Sequence, residues 1–268
     1  MMKRTILFVL TFVIFALLSC LGSYTEKLPL VFISTIASGI LGTIISIGIE
    51  KIDFQGEGFK LWWQQIKYRN EDVRLSFSYL YRIQVNGNYL LIKGNRLKNQ
   101  FQPVGGVYKY YREAKPFLEG INFRPDTRMK NHDETDDLRI NIKGKHLLVF
   151  IKWFHLMKDR EYDPYREFNE ELIVTGLLPE NEFKNLTYRK VFVHNEGVTF
   201  SKFNNCNEFI YSDIFDLTLT EEQRDAILNA VKEQPDYRCL ASAEEIKSEC
   251  YAGIEKNIGN NAKWLLGE

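Results

Sequence analysis

Two uncharged apolar runs at the start of the chain constrain its folding more than any other feature. Thr5–Leu21 carries no charge for about 17 residues, and Leu28–Ile49 continues for 22, which is long enough to cross a bilayer. The turn Gly22-Ser23-Tyr24-Thr25-Glu26-Lys27 separates them. Backbone amides in hydrocarbon must bond within their own segment, so such runs span as helices. The pattern predicts a two-helix transmembrane hairpin over residues 1–50. Lys3 and Arg4 before the first run favour a cytoplasmic N-terminus, and the hairpin then returns the chain to the cytoplasm. Leu17-Leu18-Ser19-Cys20 has the form of a lipoprotein processing site, but a second span directly after it argues for the hairpin. Ser34, Ser38, Gly42 and Ser46, with Thr35, Gly39 and Thr43 beside them, make small-residue stripes in the second run. Ser38, Gly39 and Gly42 are its candidate packing positions, either within one hairpin or between copies.

The composition then becomes that of a soluble domain. A juxtamembrane linker is predicted over 51–70 and a single domain over 71–268. Trp62 and Trp63 fall near the membrane, where tryptophan suits the headgroup level, with core burial as the default expectation for them. Asn86-Gly87 between Val73–Val85 and Tyr89–Lys93 marks a β-hairpin. Leu138–Ile142 with His146–Trp153, and Tyr188–His194 with Val198–Phe203 around Asn195-Glu196-Gly197, are predicted as two further strand pairs. Glu208–Phe215 is predicted as a strand. Thr220 with Gln223 and Ser242 with Glu245 form capping boxes that open two late helices. Strands interleaved with helices give an α/β (α+β) class, a mixed sheet between helices. Thirty-five basic and 35 acidic residues balance, which argues against a nucleic-acid polymer as partner but permits a nucleotide pocket. The cysteines make no paired zinc spacing, and the four histidines have no evident nucleophile partner.

The candidate chemistry lies in Asp163–Gly176. Asp163 and Pro164 suit a helix start and Gly176 a helix end. Glu167, Glu170 and Glu171 stand at i, i+3 and i+4, so they share one side of the helix. Clustered carboxylates repel unless a cation lies between them. These three are therefore the candidate metal ligands and Mg²⁺ the candidate cofactor, with Arg166 bracing one carboxylate. A solvated charged helix face is the plainer alternative.

Arg166-Glu167-Phe168-Asn169-Glu170-Glu171 resembles the second half of the Nudix box, whose glutamates bind Mg²⁺ in enzymes that cleave nucleoside diphosphate linkages. Gln102-Pro103-Val104-Gly105-Gly106 resembles the turn that opens that box. The pattern departs from the family in three places. Fifty-nine residues separate Gly106 from Arg166, Lys158 stands where the family carries a Glu, and Ile173 stands where it carries Gly. The insertion supplies Tyr108, Tyr110, Tyr111, Arg112, Arg124 and Arg128, aromatic and cationic together, a set suited to stacking on bases and neutralising phosphates. Gly105, Gly106, Tyr108, Arg124 and Arg166 are the candidate ligand-binding residues. His132–Asp137 is acidic; it is read as a charged loop, with a further cation site as the alternative.

The two spans, Arg74–Ile83, the Gln102–Gly106 turn and the Arg166–Leu172 helix together resemble the SMODS-associated Nudix effectors of CBASS anti-phage systems. The resemblance implies an inner-membrane protein that binds a cyclic oligonucleotide from a partner CD-NTase. It also implies homo-oligomerisation on activation and disruption of the membrane. A tethered Mg²⁺-dependent hydrolase is the alternative.

Overall fold

In a computed structural model of the chain, residues 57–94, 100–126 and 136–267 are described. The chain divides into two compact units, Met1–Trp62 and Trp63–Glu268. The expected hairpin, Cys20 and the stripe at Ser38, Gly39 and Gly42 lie outside the described residues. Among the described residues, no helix is long and apolar enough to cross a membrane. The first described element is helix α1 (Glu57–Lys67), in a segment where the sequence suggested a linker.

The second unit is built on strand β1 (Asp72–Arg82). Val73, Leu75, Phe77, Tyr79 and Tyr81 alternate along it and are completely buried, as strand periodicity requires of a core-facing side. Each apolar side chain removed from water contributes on the order of 1.5–3 kcal/mol. Its chain neighbours are β2 (Gln84–Val85) and β3 (Asn88–Lys93), joined by a tight turn in which Asn86 and Gly87 have φ of 51° and 79°. Two positive φ values are what a type I′ turn needs, and Asn-Gly supplies them. β4 (Phe101–Pro103) pairs with β3, and β5 (Gly105–Val107) pairs with β1. Helix α2 (Lys115–Gly120), β6 (Arg124–Pro125) and β7 (Arg139–Lys143) follow, then helices α3 (Leu147–His155), α4 (Tyr165–Phe168) and α5 (Glu180–Phe183). The remaining elements are β8 (Thr187–Ser201), β9 (Cys206–Thr218), α6 (Glu221–Glu233), β10 (Arg238–Ala241) and α7 (Ala243–Ser248).

β1 is the centre of a six-stranded mixed sheet. β9 runs parallel to it on one side, while β5 and β7 run antiparallel on the other. The helices α3 and α4 cover one face. Phe77 meets Phe154 and Phe150 at ring distances of 4.4 and 5.1 Å, and Tyr81 meets Phe168 at 5.5 Å. On the other face Leu80 and Ile214 pack with Leu91 and Cys239 of a second, four-stranded sheet and with Ile246 and Leu265. Charged residues on that face are paired: Arg74 with Asp126 and Glu208, and Arg82 with Asp216. The mixed α/β class holds.

Two local expectations are corrected. His146–Trp153 reads as an apolar strand, but Leu147–His155 is helix α3. Leu147, Phe150, Ile151 and Phe154 recur at helical spacing and are buried; the intervening apolar residues masked that period. Asn195-Glu196-Gly197 is no hairpin turn either. β8 runs unbroken from Thr187 to Ser201 against β9, and its register shifts between Asn195 and Val198. These residues are a bulge, with Gly197 at φ 80°, and the chain turns only after Ser201. Both capping boxes form as predicted, at Thr220 with Gln223 and at Ser242 with Glu245.

Candidate functional site

The carboxylate helix ends at Gly176 as its residues predict, but it starts one residue later than expected, with Pro164 rather than Asp163 at the N-cap and Tyr165 as its first residue. Asp163 accepts from the backbone N–H of Tyr165 at 2.9 Å and from the Tyr188 hydroxyl at 2.6 Å. Gly176 has φ +71°, and its N–H donates to Ile173 O at 2.9 Å. Between these ends α4 widens into a π-helical segment over Asn169–Val174, a geometry frequent at functional sites. Phe168 and Leu172 form its buried side.

The glycine turn meets this helix across the intervening insertion. The N–H of Gly105 donates to Glu171 Oε2 at 2.9 Å. Gly106 lies against Glu167 so closely that a Cβ there would come 2.0 Å from the carboxyl carbon. At Gly105 a Cβ would come 2.2 Å from Tyr79 O, on a backbone with φ +154°. Both positions therefore need glycine for the backbone to approach this closely.

Arg166 sits at the centre. Its Nε donates to Glu161 Oε1 at 2.8 Å. One terminal nitrogen donates to Glu167 at 2.7 Å and Glu170 at 3.1 Å; the other donates to Val107 O and Glu161 Oε2, both at 3.1 Å. A guanidinium has five N–H groups, and all five are engaged within the chain. Burial alone would disfavour the charged guanidinium, but the Glu161 hydrogen bonds and the Glu167 charge hold its pKa above the ordinary value. Burial pushes Glu167 above the usual carboxylate range, against the opposing pull of Arg166, and the charges of Glu170 and Glu161 add to the rise.

Glu161 is the residue that spacing did not reveal. Counting eight back from Arg166 gives Lys158, but the acid that pairs with Arg166 lies five back. The chain brings it there because Tyr110 bridges Arg160, and the Glu161 N–H donates to Lys109 O at 2.8 Å. Arg160 anchors the segment. It is buried, lies 3.6 Å over the Phe154 ring and donates to Phe154 O at 2.7 Å. Beneath the cluster the Tyr79 hydroxyl is buried, with no hydrogen-bond partner among the described residues. Burial, followed by the charge of Glu161, raises its pKa well above the ordinary phenol value.

The candidate residues do not all converge. Glu167, Glu170, Glu171, Gly105, Gly106 and Arg166 form one cluster. Tyr108 lies in the core rather than on a stacking surface, and its hydroxyl donates to Asp213 at 2.7 Å. Arg124 is exposed, pairs with Asp72 at 2.7 Å and stands opposite Asn141, which pairs with Arg74. Gly106 stands opposite Tyr79, five residues further along β1, so Arg124 is separated by roughly 17 Å along the strand direction. There it lines an open cavity of about 530 Å³ with Asp72, Glu119, Asn122, Phe123 and Lys143. As folded, Glu167, Glu170 and Glu171 do not make a ready Mg²⁺ cage. Arg166 and the Gly105 amide hold their oxygens, and among the described residues no group of three or more ligating side chains is placed to hold a metal ion.

Comparison with curated proteins and with solved structures finds no match. A family model, the SMODS-associated NUDIX domain, matches residues 72–266. This span holds the mixed sheet, the glycine turn and the carboxylate helix, and on that match the chain belongs to the SMODS-associated NUDIX domain family.

Proposed function

We propose that the domain is the sensor of a membrane-anchored CBASS effector. It binds a cyclic oligonucleotide made by a partner CD-NTase, and binding assembles the N-terminal spans of several copies and disrupts the inner membrane. The general effector association rests on family membership. The observation that supports sensing is the engagement of all five Arg166 N–H groups by Glu161, Glu167, Glu170 and Val107. The charges of the motif clip the glycine turn to the helix. A ligand that binds one arrangement of these two segments better than another would shift their populations. Arg166 then acts as a positioning residue and not as a direct phosphate contact.

One observation favours a second reading, a tethered Mg²⁺-dependent hydrolase of a nucleoside diphosphate derivative. Three carboxylates share one guanidinium, so the cluster carries excess negative charge that a divalent cation would neutralise. Glu167 and Glu170 would then have to leave Arg166.

Replacing Glu170 and Glu171 by Gln keeps the shape and removes two charges. With the full chain in lipid nanodiscs, binding and product release are measured against a panel of cyclic di- and trinucleotides and linear dinucleotides, with and without chelator. The sensor reading expects binding without turnover in the unmodified chain and retained binding in the double variant. Chelator-sensitive turnover that is lost in the variant overturns it.

A further inference from the structure

Tyr111, Tyr162, Tyr165 and Tyr188 lie around the Asp163 carboxylate at the edge of the Arg166 cluster. Lys109–Tyr111 runs antiparallel to Asp159–Glu161. The Glu161 N–H donates to Lys109 O at 2.8 Å, and the Tyr111 N–H donates to Asp159 O at 2.9 Å. Side chains on such a pair alternate between its two faces. Tyr110 and Arg160 stand opposite each other and are buried in the domain, which leaves Tyr111 on the side of Glu161. Tyr162 follows Glu161 directly. Tyr111 is exposed by 48% and Tyr162 by 66%. The buried tyrosines of this region each meet another ring: Tyr79 meets Tyr108, Tyr81 meets Phe168 and Tyr110 meets Phe123. Tyr111 and Tyr162 meet none among the described residues. They are still neighbours. Burial raises the pKa of Tyr111, and Glu161, Tyr162 and Asp163 lie near enough to raise it further.

We infer that Tyr111 and Tyr162 are a stacking platform for a nucleobase that carries an exocyclic amino group. A tyrosine ring offers a flat face on which any base can stack. Asp163 supplies the selection. It takes both of its hydrogen bonds on Oδ1, from the Tyr165 N–H at 2.9 Å and the Tyr188 hydroxyl at 2.6 Å, so Oδ2 is open among the described residues. An ionised carboxylate only accepts hydrogen bonds. The amino group of adenine, cytosine or guanine donates to it, whereas uracil presents a carbonyl oxygen at the corresponding position. Phosphate is disfavoured at this place. Glu161, Glu167 and Glu170 outnumber Arg166, and like charges repel. The base therefore enters first, and the phosphates point away from the carboxylates. The choice of a nucleotide rests on the sensor reading; the two exposed rings beside an open carboxylate do not.

The test uses the full chain in lipid nanodiscs with 8-azidoadenosine 5′-monophosphate, which labels adjacent side chains on illumination. Mass spectrometry locates the label. Tyr237, just before β10 and exposed by 57%, is the internal control for a tyrosine that only meets water. The expected result is labelling of Tyr111 or Tyr162 at least about fivefold above Tyr237, the weak end of base stacking on an aromatic ring. Adenosine monophosphate should compete with it, and uridine monophosphate at the same concentration should not. Labelling no higher than at Tyr237, or equal competition by both nucleotides, overturns the inference. Filter binding of radiolabelled cyclic di-AMP, cyclic di-GMP and cyclic tri-AMP tests the sensor reading separately. Where one of them binds, Tyr111→Ser/Tyr162→Ser should weaken it by about fivefold or more. Tyr111→Phe/Tyr162→Phe keeps both rings and should retain the affinity. Equal affinity of the Ser variant and the unmodified chain overturns the platform and leaves the sensor. Labelling at Tyr111 or Tyr162 with no cyclic probe bound keeps the platform and counts against the sensor.

Discussion

The Gly105 amide donates to the Glu171 carboxylate at 2.9 Å, across 66 residues of chain. That bond, with Gly106 pressed against Glu167, makes one site of two segments that an insertion separates.

The closeness of Gly106 can be tested by adding one carbon. Gly106→Ala places a methyl 2.0 Å from the Glu167 carboxyl carbon, so the turn and helix must part. The expected cost is about 1–3 kcal/mol, as for other overpacked sites. Gly120→Ala meets nothing within 4 Å and is the control. Chemical unfolding of both variants gives the comparison, and equal stabilities would remove the close contact from the account.

Arg166→Lys keeps the charge but supplies three donors in place of a planar five. Glu161, which is buried, then loses its paired hydrogen bonds. We expect a loss of about 2 kcal/mol, the scale of a hydrogen bond to a charged group, and a larger loss when Glu161 is present than in a Glu161→Gln background. A double-mutant cycle by denaturant titration measures this coupling. Additive losses would separate the two residues energetically.

Glu167 gives a pH signature. Burial raises its pKa in the folded chain above the ordinary carboxylate value, so the folded state holds the proton more tightly than the unfolded state. Its ionisation therefore costs stability above the folded pKa, and that cost vanishes below the unfolded pKa. Glu167→Gln should gain stability relative to the unmodified chain as pH rises from about 4 toward neutrality. The readout is the difference between their unfolding midpoints across that range, and a difference independent of pH would contradict the assigned shift.

For topology, both termini are expected in the cytoplasm. A reporter fused after Glu268 should be active only in a form that works in the cytoplasm, and lipid on Cys20 or periplasmic activity would reverse the assignment. If the small-residue stripe joins copies, Gly42→Leu should weaken ligand-triggered assembly while leaving ligand binding intact. Unchanged assembly assigns the stripe to packing within one hairpin.

Features set by neighbouring residues were legible in the sequence. Asn86-Gly87 fixes its turn because two adjacent residues must take positive φ, and few pairs do so at low cost. Thr220 with Gln223 and Ser242 with Glu245 cap their helices through bonds that close within one turn. Gly176 ends the carboxylate helix for the same local reason, a positive φ that glycine takes at low cost. What only the tertiary structure decided depends on distant partners. Leu147–His155 is a helix because its buried side packs on Phe77, a contact that the continuous apolar run does not encode. Asn195-Glu196-Gly197 is a bulge because β9 continues beside it. Glu161 reaches Arg166 because its backbone is bonded to Lys109, far back in the chain. Neither local propensity nor motif spacing carries these relationships, because each is a choice between backbone states of similar local energy that the packed sheet settles.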